Sequence, residues 1–238
     1  MKAISLREIK AFFSSLTGYL VITLFLVING ILLWFIEGEY NVLQSGFADL
    51  SPFFYLAPWV LIFLIPAVSM KSLSEEIKNG TIELLLTKPL SVWQIVLGKF
   101  IGIFTLIFLA IIPTIVYVFI LKDLVLEGQQ IDYSNIIGSF IGLLFLVSCY
   151  VSMGILSSSL TENQIVAFII GVVLCLFFSL GIDTMASLFG EWFERIGVLY
   201  HFRSISKGVI DTRDLIYFAS MTILCLGITV FKIKTLRK

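Results

Sequence analysis

Six long apolar stretches, at about 18–36, 53–70, 100–121, 136–157, 165–182 and 214–231, constrain this chain more than any other feature. Each is long enough to cross a hydrocarbon core of about 30 Å, which takes about 20 helical residues. The runs are continuously apolar and do not alternate, so they fit helices and not the strands of a barrel. A soluble fold could not hide this much apolar surface. Of the 238 residues 59% are hydrophobic and 13% charged, against about 45–50% and about 25% in soluble domains. The expected fold is all-α: a polytopic membrane protein with six transmembrane helices in one domain over residues 1–238.

Lysine and arginine set the expected orientation, because cytoplasmic loops carry the excess of them. Eleven lie in the N-terminal segment (Lys2, Arg7, Lys10), the loop after the second span (Lys71, Lys78, Lys88, Lys99) and the C-terminal tail (Lys232, Lys234, Arg237, Lys238). Only five lie on the other side: Lys122, Arg195, Arg203, Lys207 and Arg213. Both termini are therefore expected in the cytoplasm. The fifth-to-sixth connection, which holds most of the outer cations, is the weakest point of that topology. The first run exceeds the h-region of a signal peptide and lacks a small-residue cleavage site before Glu37-Gly38-Glu39, so it reads as a retained span. Before it, Ile4–Leu16 reads as an interfacial helix, with Ile4, Phe12, Phe13 and Leu16 toward lipid and Arg7, Glu8 and Lys10 in water.

Catalytic signals are missing. No acidic or basic residue lies near the middle of a span, which weighs against an ion-coupled carrier. There is no H-E-x-x-H, no intramembrane Ser/His pair and no phosphate-binding G-x-x-x-x-G-K-[ST] loop, so energy for any work must come from another chain. The net charge of 0 gives no sign of nucleic-acid binding. Cys149, Cys175 and Cys225 read as small packed hydrophobes, and His201 alone cannot build a metal site. No cofactor is expected on this chain. Gly98/Gly102 and Gly138/Gly142 permit close helix approach. Pro58, Pro66 and Pro113 should kink their helices.

The most organised segment is the loop after the second span. Ser72 with Glu75 can cap a short helix, Asn79-Gly80 breaks it, and Thr81–Thr87 can make two turns before Pro89. Ser91 with Gln94 forms a capping box for the next helix, with Leu90 stapled against Ile95. Within the short helix, Ile82, Leu85 and Leu86 share a face, and an apolar face on a polar loop must dock on something, either a partner or the protein's own inner ends.

The pattern E-E-x-x-x-G-T-x-E-x-L-L-x-x-P from Glu75 to Pro89, followed by Gly98-Lys99, resembles the signature of ABC-2-type transporter permeases. In that family the loop implies a coupling helix that fits a cleft on an ATP-binding subunit. By position this puts Glu76, Gly80, Thr81, Ile82, Glu83, Leu84, Leu85, Leu86 and Pro89 at or beneath the contact. The fifth-to-sixth connection, with Trp192, Phe193, Ile196 and Leu199 among charged residues, implies short re-entrant helices serving as an extracytoplasmic gate. Its alternative is a helix lying flat on the membrane. The stretch from His201 to Asp214, and Leu6–Phe13, resemble the gliding-motility-associated GldF-type permease subunit. Asp211 and Asp214 also read as N-cap and first-turn acids of the sixth span.

The resemblance implies a permease subunit of an ATP-driven exporter in a bacterial inner membrane, serving gliding motility or surface secretion. ATP and magnesium would sit on a partner ATPase. Further partners would be a second permease copy or related subunit, an accessory membrane protein with a large extracytoplasmic domain, and membrane lipid. The alternative is a non-transporting anchor or signalling subunit that docks a cytoplasmic partner through the same loop.

Overall fold

A computed structural model describes residues 2–38, 40–42, 49–87, 90–124, 131–190, 194–209 and 211–236. Every regular element among them is helical. They are α1 (Lys2–Ser14), α2 (Leu16–Trp34), α3 (Ser51–Lys78), α4 (Thr81–Leu86), α5 (Val92–Ile111), α6 (Val116–Leu124), α7 (Tyr133–Leu160), α8 (Gln164–Leu176), α9 (Ile182–Phe189), α10 (Val198–Ile205) and α11 (Thr212–Leu236). Six helical stretches are long and apolar enough to cross a membrane: Leu16–Trp34, Ser51–Lys78, Val92–Leu124, Tyr133–Leu160, Gln164–Met185 and Thr212–Thr235. Six passes leave both termini at one end of the bundle, here the proximal end; the opposite end is distal.

The spans match the expected ones in number and order; the first has the expected length, shifted by two residues, and the other five run longer. The second continues through Lys78. The cap expected at Ser72 is absent, because α3 passes through that point as unbroken helix and Ser72 is buried. Of the three prolines expected to kink, Pro58 and Pro66 lie within continuous α3, and Pro113 sits in a 3₁₀ segment, Ile112–Ile115, that joins α5 to α6.

Packing divides the spans into two classes. For α3 and α7, 67% of the membrane-spanning window is buried, against 28–33% for the other four, so α3 and α7 form the centre and the rest surround it. The outward surfaces of that ring are apolar. On α2, Leu20, Leu24, Val27 and Ile31 recur at helical spacing and stand exposed, as do Ile165, Ile169 and Val173 on α8. Such faces would be costly in water and are neutral in lipid. The three cysteines are buried and unpaired.

At the distal end α10 folds back along α7. A Cβ on Gly138 would stand 2.8 Å from the Ile205 carbonyl oxygen, and one on Gly142 would stand 3.2–3.3 Å from side-chain atoms of Ile205 and Phe202. This glycine pair thus makes a close approach, though its partner is the short α10 and not another span. Gly142 lies nine residues into α7, about 13 Å at 1.5 Å per residue.

At the proximal end Gly102 does the same for α1, since a Cβ there would lie 2.7 Å from Glu8 Cβ. The orientation of α1 differs from expectation. Ile4 is buried inside the protein, Phe12 and Phe13 pack partly against the core, and only Leu16 of the four expected lipid contacts is fully exposed. Glu8, expected in water, points inward.

The two glycines facing α10 should respond unequally to an added methyl. Gly138→Ala meets a backbone oxygen that cannot yield, so it should cost about 1–3 kcal/mol by overpacking, whereas Gly142→Ala meets only side-chain atoms and should cost less. Thermal unfolding of the two purified variants in detergent checks this; equal melting temperatures would remove the close approach from the argument.

Candidate functional site

The connection from α3 to α5 is built by short-range devices. Backbone N–H groups of Asn79 and Gly80 donate to the carbonyls of Glu75 and Ile77 at 3.0 and 3.1 Å, closing α3. Gly80 has φ 67°, the left-handed region that favours glycine after a helix end. α4 follows at once. The capping box at α5 is present: Gln94 N–H donates to Ser91 Oγ at 3.3 Å and Ser91 N–H donates to Gln94 Oε1 at 3.1 Å. Leu90 packs against the cluster that contains Ile95, as the staple requires.

The apolar side of α4 faces its own chain. Ile82 joins the main core, and Leu85 packs with Ile4 of α1 and Ile95 of α5. The Ile82–Leu85 face thus docks on the chain's own inner ends. It is covered because α1 turns Ile4 toward the loop instead of toward lipid. The outward positions are Thr81, Glu83 and Thr87, all exposed, beside exposed Gly80. The side chains of Leu84 and Leu86, and all of Pro89, lie outside the described residues.

Beneath α4 sits a charge cluster that sequence spacing does not reveal. The Lys99 side chain on α5 is 1% exposed. Its ammonium contacts Glu8 Oε1 of α1 at 3.2 Å, Glu76 Oε1 of α3 at 2.9 Å and the Ser72 carbonyl oxygen at 2.6 Å. Three acceptors thus meet the three N–H donors of an ammonium group. Arg7 closes the ring at the surface, with Nη2 3.1 Å from Glu8 Oε1 and 2.9 Å from Glu76 Oε1. Partial burial lowers the pKa of the Arg7 guanidinium, but pairing with Glu8 and then Glu76 outweighs that and raises it above its ordinary value. Two cations and two anions balance, which makes the burial tolerable. Glu76, one of the expected coupling residues, is therefore an internal strut between α1, α3 and α5. A groove of about 400 Å³ between α1 and the end of α3 opens beside the cluster, lined by Glu8, Lys71, Glu75 and Asn79 among others.

A second interaction grips α3 at the same level. Ser158 Oγ of α7 accepts from the N–H groups of Leu73 and Ser74 at 2.9 and 3.0 Å and donates to the Met70 carbonyl at 2.9 Å. A side chain reaching into a helix ladder marks a place where the helix can bend. Between Met70 and Ser74, α3 is thus held by α7 through Ser158 and by α5 through Lys99.

The distal connection carries its own buried pair. Asp211 caps α11 by accepting from Arg213 N–H at 2.9 Å, as expected. Asp214 lies in the first turn but is fully buried, and its Oδ1 is 2.6 Å from His201 Nδ1 on α10. His201 Nε2 faces the Arg195 carbonyl at 2.8 Å. A carbonyl only accepts, so Nε2 carries hydrogen. The Nδ1–Oδ1 contact then needs one more proton, on the ring or on the carboxyl, and the pair is neutral as a unit in either case. The ring stacks on Tyr217 with centroids 3.9 Å apart. Of the expected gate residues, Leu199 is buried with Phe202 and Ile205, Ile196 stands exposed in a one-turn 3₁₀ helix, and Trp192 and Phe193 lie outside the described residues.

The proximal cluster predicts unequal costs for its two cations. Lys99→Met strands two carboxylates in a mostly buried place and should cost about 3 kcal/mol. Arg7→Ala removes a half-exposed partner and should stay within about 1 kcal/mol. Thermal unfolding of the isolated protein in detergent measures both, and similar small shifts would mean that Lys99 is not the organising charge.

A family model described as ABC-2 family transporter protein matches residues 20–196, which is 177 of the 238 residues. No curated protein sequence matches the chain at a significant level. The match spans α2 through α9, including the α3–α4–α5 connection, on a bundle of six membrane-length helices. The chain belongs to the ABC-2 family of transporter proteins.

Proposed function

We propose that this protein is the permease subunit of an ATP-driven exporter and that a partner ATPase, which carries the ATP and magnesium, docks on the proximal end around α4. Membership in the family makes the chain a permease component of an ABC transporter. The observation that carries the finer reading is the mounting of α4. This helix is fastened to α1 and α5 through Leu85, Ile4 and Ile95 and continues directly from α3 through Gly80. A push on α4 therefore moves three helices together. Lys99 binds the same three elements one layer deeper.

The docking contact in this reading is made by Gly80, Thr81, Glu83 and Thr87, while Ile82, Leu85 and Glu76 keep the plate rigid from behind. The proximal end then faces the cytoplasm of a bacterial inner membrane, with both termini inside. A transport path needs a second bundle, either another copy or a related permease. Helix α10, with Leu199 on its inner face, serves as the distal gate lying in the outer leaflet. The GldF-type resemblance adds an accessory membrane protein and a role in gliding motility or surface secretion.

Orientation is checked by single cysteines in a cysteine-free background: an impermeant thiol reagent applied to intact cells should label Asp211→Cys and spare Lys78→Cys. Labelling of Lys78→Cys from outside would invert the topology.

The coupling assignment separates two kinds of variant. Glu83→Lys should weaken ATPase co-purification and coupled ATP turnover, in a salt-dependent way, while the melting temperature of the permease alone stays put. Leu85→Ala should destabilise the permease itself by about 2–4 kcal/mol, as a buried leucine does. Undiminished ATPase binding and turnover in Glu83→Lys and in Thr87→Trp would sink the assignment. ATPase binding with no stimulated turnover in the wild type would favour the anchor reading.

A further inference from the structure

The distal end holds a cavity of about 250 Å³ between the beginnings of α3 and α7 and the side of α10. Its walls divide by chemistry. Phe54, Tyr55 and Trp59 of α3 give aromatic lining, and Arg203 of α10, Lys207 in the turn after it and Ser139 of α7 give polar lining. Arg203 is only loosely paired, with Nη1 3.8 Å from Asp183 Oδ2 and more than half its side chain exposed. Lys207 is exposed and has no side-chain hydrogen bond or ion pair among the described residues.

These two cations are also out of place for a membrane protein. Lysine and arginine collect on the cytoplasmic side, yet Arg203 and Lys207 belong to the small set on the opposite side, and both line this cavity. Inside the chain Arg203 has only the long Asp183 contact, and the buried face of α10 is held instead by Phe202, Ile205 and the His201–Asp214 contact. An anion supplied from outside the chain completes the charge. The aromatic wall, at the level where tyrosine and tryptophan meet the membrane interface, completes the apolar half.

We propose that this cavity binds the phosphate head of an anionic phospholipid from the leaflet at the distal end, with the phosphate between Arg203 and Lys207, Ser139 as a hydroxyl donor, and the upper acyl chain along Tyr55 and Trp59. The proposal needs only that the bundle spans a membrane and holds whether or not the lipid is transported.

The test uses delipidated, purified full-length protein titrated with phosphatidylglycerol or with phosphatidylcholine of the same chains, the first bound lipid being read by native mass spectrometry. Wild type should prefer phosphatidylglycerol. Each near-surface cation is worth about a 5-fold factor, so Arg203→Gln and Lys207→Gln should each lower that affinity about 5-fold and the double variant about 30-fold, leaving phosphatidylcholine unchanged. Both side chains are exposed, so the variants should melt with the wild type, and Lys71→Gln at the proximal end should not alter binding. Equal affinity for the two lipids, or phosphatidylglycerol binding that survives the double substitution, would overturn the proposal. Displacement of the lipid by inorganic phosphate alone at matched concentration would also overturn it, by showing a simple anion site.

Discussion

One buried ammonium organises the proximal end. Lys99 reaches acceptors on α1 and α3 from its seat on α5, and Glu76 Oε1 of α3 answers by contacting both Lys99 and Arg7 of α1. The energetics explain why so polar a cluster persists beside apolar helices. Each charge is costly to desolvate alone, but four charges that sum to zero, with the ammonium fully bonded, keep one another in place. Removing the buried Lys99 exposes the cost of the rest. The cluster therefore ties α1 and the end of α3 to α5 more specifically than apolar contact could, because apolar surfaces slide and an ammonium with three acceptors does not.

The same logic recurs at the other end in neutral form. His201 and Asp214 join α10 to α11 through one hydrogen bond, while Gly138 lets the backbone of α10 approach α7. The two ends differ in how their short helices are held. α4 is fastened by a small patch of aliphatic side chains to helices that the ion cluster joins, and α10 by a hydrogen-bonded pair and close backbone contact.

Much of this was legible in the sequence. Apolar run length gave the six spans, because a lipid solvent leaves few other ways to satisfy a backbone. Local signals also held: Ser91 with Gln94, Gly80 after Asn79, and Asp211 before α11 act within four residues, so spacing alone specifies them. The failures share a cause. Ser72 carried a cap signature, but Ser158 from α7 and Lys99 from α5 hold α3 helical through that point. Ile4 and Leu85 each read as surfaces seeking lipid or a partner, and they found each other. Glu8 and Lys99 are 91 residues apart and His201 and Asp214 are 13 apart; a single chain offers no periodicity that announces such pairs.

The grip of Ser158 and Lys99 on α3 has a mechanical meaning. It falls near Ser72, about 9 Å from Lys78 and about 32 Å from Ser51 along a helix rising 1.5 Å per residue. A rod pinned off-centre is a lever with arms in a ratio of about 3.5, so a displacement of about 1 Å at the Lys78 end becomes at most about 3 Å at the aromatic wall of the distal cavity, which lies short of Ser51. Pro58 and Pro66 lie on the long arm and each removes a backbone bond, so that arm flexes and the delivered stroke is smaller. Force falls by the same factor as motion grows. Under the proposed coupling, a short, strong stroke at the proximal end would become a longer, weaker one at the distal end.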